Sequence, residues 1–275
     1  NVQIDYNLFE NHWQQAQPGP AILFTPRNSN SACAWCVVEN VTFEYNVVRN
    51  IGAGFHILGI DPNPIAPSRQ ANNIRILHNE ISGLDKNTWG GNGVFLLMID
   101  NPRNIQVDHN TIISPSGSAI VSVSGPPVYD FQFTNNVARH NAYGIIGASY
   151  GPGNPSINVY LPNAEIRRNV FAGGKASIYP PDNFFPTTAA FEAHFVDYGS
   201  DYSLVPGTDW ANAGTDAKDL GADYGGVVPE DPQPAPPAVV TTSLPAATEF
   251  EAYAASLEAT DGQSPYRWSL ASGSL

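Results

Sequence analysis

Apolar and polar residues alternate in short runs along this chain, and the runs repeat. "NVQIDYNLF" begins at Asn1, "NVTFEYNVV" at Asn40, "NIRILHNEI" at Asn73, "NIQVDHNTI" at Asn104, "DFQFTNNVA" at Asp130 and "NAEIRRNVF" at Asn163. In each run the second and fourth places are mainly aliphatic or Phe. The third and fifth are mostly polar, and the seventh is always Asn. Period-two alternation over four or five residues predicts a half-buried β-strand with places two and four inward. The invariant Asn two places on predicts a turn, with a second short strand after it. A further apolar run follows in each unit: "AILFT" (21–25), "FHILG" (55–59), "VFLLM" (94–98), "AIVSV" (119–123), "GIIGA" (144–148) and "ASIYP" (176–180). The core motif is constant while the starts lie 26 to 39 residues apart, as expected of a repeating structural unit with loops of variable length.

One unit thus reads as strand, Asn turn, short strand, corner, third strand, loop. Six units at a strand spacing of roughly 4.8 Å would make a stack of about 29 Å. Over residues 1–225 this pattern resembles the right-handed parallel β-helix proteins among secreted bacterial carbohydrate-active enzymes and surface proteins. The resemblance implies an all-β solenoid in which Asn7, Asn46, Asn79, Asn110, Asn136 and Asn169 form a ladder of stacked amides. Residues 201–228 resemble the segment that closes such a helix. Residues 229–238 ("PEDPQPAPPA") form a Pro-rich linker, and 239–275 resemble the opening of an immunoglobulin-like domain of bacterial surface proteins. Because the chain begins inside a repeat, preceding coils are expected.

Composition narrows the partners. Only 13% of residues are charged and the net charge is −13. No basic stretch suits a phosphate backbone, so nucleic acid is not an expected partner. No apolar run reaches membrane-spanning length. Cys33 and Cys36 ("CAWC") admit four readings: a local disulfide, free thiols, half of a metal site, or a redox pair.

Faces follow from the alternation. The outward places of the first strand (Gln3, Thr42, Arg75, Gln106, Gln132, Glu165; Asp5, Glu44, Leu77, Asp108, Thr134, Arg167) are mostly polar and predict a wetted sheet. In the third strand, taking Leu23, Ile57, Leu96, Val121, Ile146 and Ile178 as the core column leaves Ile22, His56, Phe95, Ile120, Ile145 and Ser177 outside, with Phe24, Leu58, Leu97, Ser122, Gly147 and Tyr179. This predicts an apolar outer strip covered by the loops 26–39, 60–72, 84–92 and 149–162, or by a second molecule through self-association.

In β-helix polysaccharide lyases and hydrolases the third sheet and its bordering loops usually bear the active site. Here that implies His56 with Asp61 and Asp100, which end "LGID" and "LMID", as candidate catalytic groups. Arg27, Lys86, Arg103 and Trp89 are candidate substrate contacts. Two carboxylates on neighbouring coils would split acid and base roles, or hold a Ca²⁺ ion against a uronate; both Asp residues also suit turn capping. His78 and His109 precede the ladder Asn in adjacent coils, in a column that also holds Tyr6, Tyr45, Asn135 and Arg168; that variety predicts a surface stack rather than a metal site. The Asp-Asp, Gly-His-Gly and Arg-Ile-Lys motifs of polygalacturonases, the Arg-x-Pro-x-x-Arg of pectate lyases and the calcium-binding Gly-Asp nonapeptides are missing. The sequence therefore points to a secreted or cell-surface β-helix that acts on or binds a polysaccharide, with a non-catalytic adhesion module of a larger bacterial protein as the alternative.

Overall fold

The computed structural model describes residues 1–12, 19–63, 65–223 and 238–260. The chain divides into two compact units, Asn1–Val228 and Pro229–Leu275. The first is a parallel β-helix. Its first sheet stacks six strands in chain order: Val2–Asp5, Glu39–Glu44, Asn72–Leu77, Arg103–Asp108, Phe131–Thr134 and Glu165–Arg167. The second stacks Leu8–Glu10, Val47–Ile51, Glu80–Leu84, Thr111–Ile112, Val137–Arg139 and Val170–Ala172. The third stacks five: Ile22–Phe24, Phe55–Leu58, Val94–Ile99, Ala119–Ser124 and Ile145–Gly147. Every strand pair within these three sheets is parallel.

The first sheet obeys its alternation. Phe43, Ile76, Val107 and Phe133 are register partners and fully buried, as are Ile74 and Ile105 in the neighbouring column. Rings extend the packing: Phe43 lies 5.5 Å from Phe9 and 5.2 Å from Phe55, and Phe133 lies 6.1 Å from Phe171. The polar columns face outward, except that Leu77 and Thr134 are buried.

The Asn ladder forms and gains a rung. Each side-chain oxygen accepts from the backbone N–H of the preceding rung, at 2.9–3.0 Å, along Asn7, Asn46, Asn79, Asn110, Asn136, Asn169 and Asn183. Asn183 escapes the sequence motif because no strand run precedes it in "PPDNFF". The residue before each of the first six rungs carries the turn. Tyr6, Tyr45, His78, His109, Asn135 and Arg168 all adopt left-handed backbone, φ 51° to 58°. A second left-handed column lies at the first place of the motif: Asn40, Asn73, Asn104, Asp130 and Asn163, φ 52° to 59°. Asn and Asp tolerate that region best, which explains why only they occur there.

The third sheet differs from its expected alignment. Leu23 pairs with His56, His56 with Leu97, Leu97 with Ser122 and Ser122 with Ile146, so Leu23 and Ile146 belong to the outward column. Ile22, Phe55, Leu96, Val121 and Ile145 form one inward column, and Phe24, Ile57, Met98, Val123 and Gly147 the other. Phe95, Ile120 and Ile145 are buried, but as members of the central core and not as a covered outer strip; Leu97 is half-buried. These runs are apolar almost throughout, so period two leaves no mark to align on. The sixth expected strand is absent: Ala176–Ile178 is a 3₁₀ turn. Pro180 and Pro181 follow it and cannot donate to a ladder. Tyr179 instead packs on Phe171, with ring centroids 4.7 Å apart.

The described part of the segment expected to close the helix, 201–223, lies along its side together with the residues before it. The helix Thr188–Glu192 and the hairpin Phe195–Asp197/Asp201–Leu204 place Phe191 and Phe195, with Trp210 and Leu220, against Ile113, Val137, Val170 and Ala172 on the outside of the second sheet. The chain then runs back over the turn column: the Thr215 N–H donates to Asn135 Oδ1 and the Ala222 N–H to Thr111 Oγ1. Residues 224–228 of this segment, 229–237 of the linker and 261–275 lie outside the described residues. In the second unit, Ala238–Val239 and Ala259–Thr260 form a short antiparallel ladder. Among the described residues no helix is long and apolar enough to cross a membrane.

Candidate functional site

The sequence-predicted site residues fall on different corners of the solenoid. His56 is on the outward column of the third sheet, between Leu23 and Leu97. Its Nε2 is enclosed and has no hydrogen-bond partner among the described residues. Burial, and then the charge of Arg27, hold its pKa below the usual value. Arg27 and His56 are thus brought together. The two carboxylates are not equivalent. Leu58 pairs with Ile99, so Gly59 stands opposite Asp100 and Asp61 lies two residues further on. Position 59 must be Gly, because a Cβ there would meet the Asp100 carbonyl oxygen at 2.0 Å. The Asp61 carboxylate accepts the Asn28 N–H at 2.7 Å and so holds the 28–36 loop; Asp100 sits at a left-handed corner, φ 55°. Lys86 and Trp89 begin and end a one-turn helix at the exit of the second sheet, capped by the Asp85 carboxylate. Arg103 begins a strand of the first sheet.

The turn column before the ladder is a ring stack. Tyr6, Tyr45, His78 and His109 follow one another at 5.3, 5.0 and 4.8 Å between centroids. His109, expected at the surface, is buried beneath the returning segment, with Nδ1 3.2 Å from Asp108 and Nε2 3.4 Å from Asp216. Asp108 titrates below the usual carboxylate range: burial pushes it up, but the His109 ring beside it and bonds from Thr134 and Asn135 outweigh that. Among the described residues no group of three or more His, Cys, Asp or Glu could hold a metal ion.

Three imidazoles, buried His140 and half-buried His56 and His78, set a pH dependence. Burial dominates the downward shift of His56, His78 and His140; Arg27 adds to it for His56 and His109 for His78, while a bond to Asn141 opposes it for His140. A folded-state pKa below the unfolded one means that the unfolded chain takes up protons first. Stability is therefore fully present above about pH 6.5, the unfolded value, and is lost as pH falls below it. The thermal midpoint is expected to be lower at pH 5.5 than at pH 7.5, as scanning calorimetry would read; equal midpoints would contradict the shifts.

A concave surface lies elsewhere. An open groove of about 870 Å³ runs along the entry edge of the first sheet, lined by Glu39, Arg69, Gln70, Asn72, Arg103, Asn104 and Asp130. Register builds it: Glu39 pairs with Asn72 and Asn72 with Arg103, one residue per coil. Tyr129 continues the column, its carbonyl accepting the Asn104 N–H at 3.2 Å. Each groove cation faces a carboxylate, Arg69 to Glu39 at 3.9 Å and Arg103 to Asp130 at 3.6 Å. The Arg103 guanidinium also lies 5.5 Å over the Tyr129 ring.

At the opposite end the 28–36 loop adjoins the groove. The Cys36 carbonyl accepts the Arg69 N–H at 2.9 Å. Cys33 and Cys36 form a disulfide, which selects one of the four readings of the "CAWC" motif. Buried Asn28 ties this loop to the next one, donating to the Ala66 carbonyl and accepting from the Cys33 N–H, each at 2.5 Å. Trp35, inside the disulfide, is 71% exposed and Tyr129 41% exposed.

Of the predicted contacts, only Arg103 lines this groove. The remainder of its column was legible as the place just before each motif, where Glu39, Asn72, Arg103 and Tyr129 recur, but alternation within the strand directs attention to places three and five. No protein-family model matches the chain, and neither a curated protein nor a solved structure does.

Proposed function

We propose that this chain is a polysaccharide-binding β-helix of an extracellular or surface protein, and that it holds its ligand in the groove at the entry edge of the first sheet. The observation that carries the reading is the groove's lining. Carboxamides, guanidinium groups and carboxylates repeat at coil spacing on a rigid sheet, and each is a planar, two-pronged partner for hydroxyl groups. A polymer of sugars presents hydroxyls in the same repetitive manner. The local disulfide supports an oxidising compartment. The fold's resemblance to secreted carbohydrate-active β-helices supports the same ligand class.

Binding is favoured over cleavage for this groove. Its two carboxylates belong to Glu39 and Asp130, three strand spacings apart, or about 14 Å along the stack. Retaining pairs need roughly 5–5.5 Å and inverting pairs roughly 6.5–9.5 Å. The test is affinity electrophoresis of the intact chain through gels containing neutral and acidic polysaccharides. Retardation by at least one polymer is expected, and Arg103→Ala should weaken it about tenfold, the loss of roughly 1.4 kcal/mol. Arg49→Ala, which removes a partner of Glu10 on the second sheet, should leave it unchanged. Unretarded migration in every gel would overturn the proposal.

A further inference from the structure

We infer that the groove selects an uncharged polysaccharide, and that Trp35 and Tyr129 are the stacking platforms at its two ends. This rests on the polysaccharide reading and goes further by naming the ligand's charge class and its apolar contacts.

The charge argument is a matter of pairing. The groove's charged side chains are Arg69, Arg103, Glu39 and Asp130, two of each sign, and each cation stands within 4 Å of an anion. A polyuronate would have to displace Glu39 and Asp130 from their arginines before any cation became free for it. It would also approach a chain of net charge −13, which repels a polyanion at long range. Hydroxyl groups need neither step. They can donate to a carboxylate and accept from a guanidinium while the ion pair persists, because these exposed pairs leave lone pairs and N–H groups unused.

The aromatic argument is one of exposure and rigidity. A tryptophan mostly in water forgoes the burial that normally holds so large a ring. Trp35 remains there on a loop fixed by three restraints: the disulfide on either side of it, the Asn28 bonds, and the Cys36 carbonyl bond to Arg69. Such a ring loses little conformational freedom on binding, so more of the contact energy appears as affinity. Tyr129 is held in its turn by the Arg103 guanidinium. The indole and phenol rings offer flat apolar surfaces suited to the C–H face of a pyranose, while the groove between them addresses its hydroxyl edge. From the Glu39 strand, which the Trp35 loop enters, to the Tyr129 coil is about 14 Å, the length of a short run of sugar rings.

Isothermal titration of the intact chain separates the possibilities. The ligands are soluble neutral glucans, xylans and mannans, with polygalacturonate and alginate as acidic counterparts, each at low and at physiological salt. Neutral polymer is expected to bind with little salt dependence. Trp35→Ala and Tyr129→Ala should each weaken binding about tenfold, Trp35→Phe should retain most of it, and quenching of Trp fluorescence should accompany binding in the parent but be reduced in Trp35→Phe. Unfolding midpoints of the variants should match the parent, since both rings are substantially exposed. Preference for a polyuronate, or unchanged affinity in both alanine variants, would overturn this inference and leave the polysaccharide reading standing. If the parent chain binds no polymer, both fall together.

Discussion

Phe43→Ala is expected to destabilise the β-helix by about 3–5 kcal/mol, the usual cost of emptying a filled aromatic site. Phe43, on the first sheet, is fully buried and lies against rings from the other two sheets: Phe9 of the second at 5.5 Å, and Phe24 and Phe55 of the third at 6.4 and 5.2 Å. Removing it leaves a cavity that its neighbours cannot close. Its strand is pinned between the strands of the preceding and following coils, and a shift toward the void would break parallel ladders on both sides. In a unit of this size each kcal/mol lowers the midpoint by roughly 2–4 °C, so a fall of about 10 °C should be seen by calorimetry. Phe43→Leu should cost clearly less. A loss below about 1 kcal/mol for Phe43→Ala would mean that the coil interior is not close-packed at this level.

Asn79→Leu should cost about 3 kcal/mol or more, although leucine is more apolar and the site is buried. The Asn79 side chain accepts from the Asn46 N–H at 2.9 Å and donates to the Phe43 carbonyl at 3.0 Å and to Asn110 Oδ1 at 2.9 Å. Leucine supplies none of these partners. The Asn46 N–H and the Phe43 carbonyl would remain in the interior unpaired, at about 1–3 kcal/mol for each such group. Asn79→Asp separates geometry from hydrogen bonding: it keeps the accepting oxygen but loses the donor, and in an apolar site its charge is costly, so no rescue is expected. Chemical denaturation of the three proteins would measure this. Stability equal to the parent in Asn79→Leu would remove the ladder from among the fold's supports.

How far these features could be read in advance depends on the residue type at each place. The first sheet was legible because polar side chains such as Gln3, Arg75 and Gln132 interrupt the apolar places and expose the period. The ladder was legible because an amide at one fixed place in six units has few other uses. The third sheet was not, since "VFLLM" and "GIIGA" show no polar marker, and a slip of one residue leaves every position apolar while exchanging its face. Hence Leu23 and Ile146 were placed inside and Ile22 and Phe24 outside. The candidate catalytic set suffered from the same blindness to register. Asp61 and Asp100 end similar tetrapeptides, yet the ladder puts Gly59 opposite Asp100.

The amino-acid sequence alone determined most of the coil: the alternation of its first sheet and six of its seven Asn rungs are local properties, enforced by strand geometry and by the need to satisfy buried amides. What only the tertiary structure decided is what lies beside what across coils. The 188–223 segment doubles back onto the second sheet and buries His109, and loops from different units bring Arg69, Arg103 and the Trp35 disulfide loop around one groove. Loop lengths vary from unit to unit, so outside the motif sequence spacing carries no record of which residues share a column. That correspondence is set by the hydrogen-bond register of the parallel ladders, in which one residue per coil is carried to the same edge.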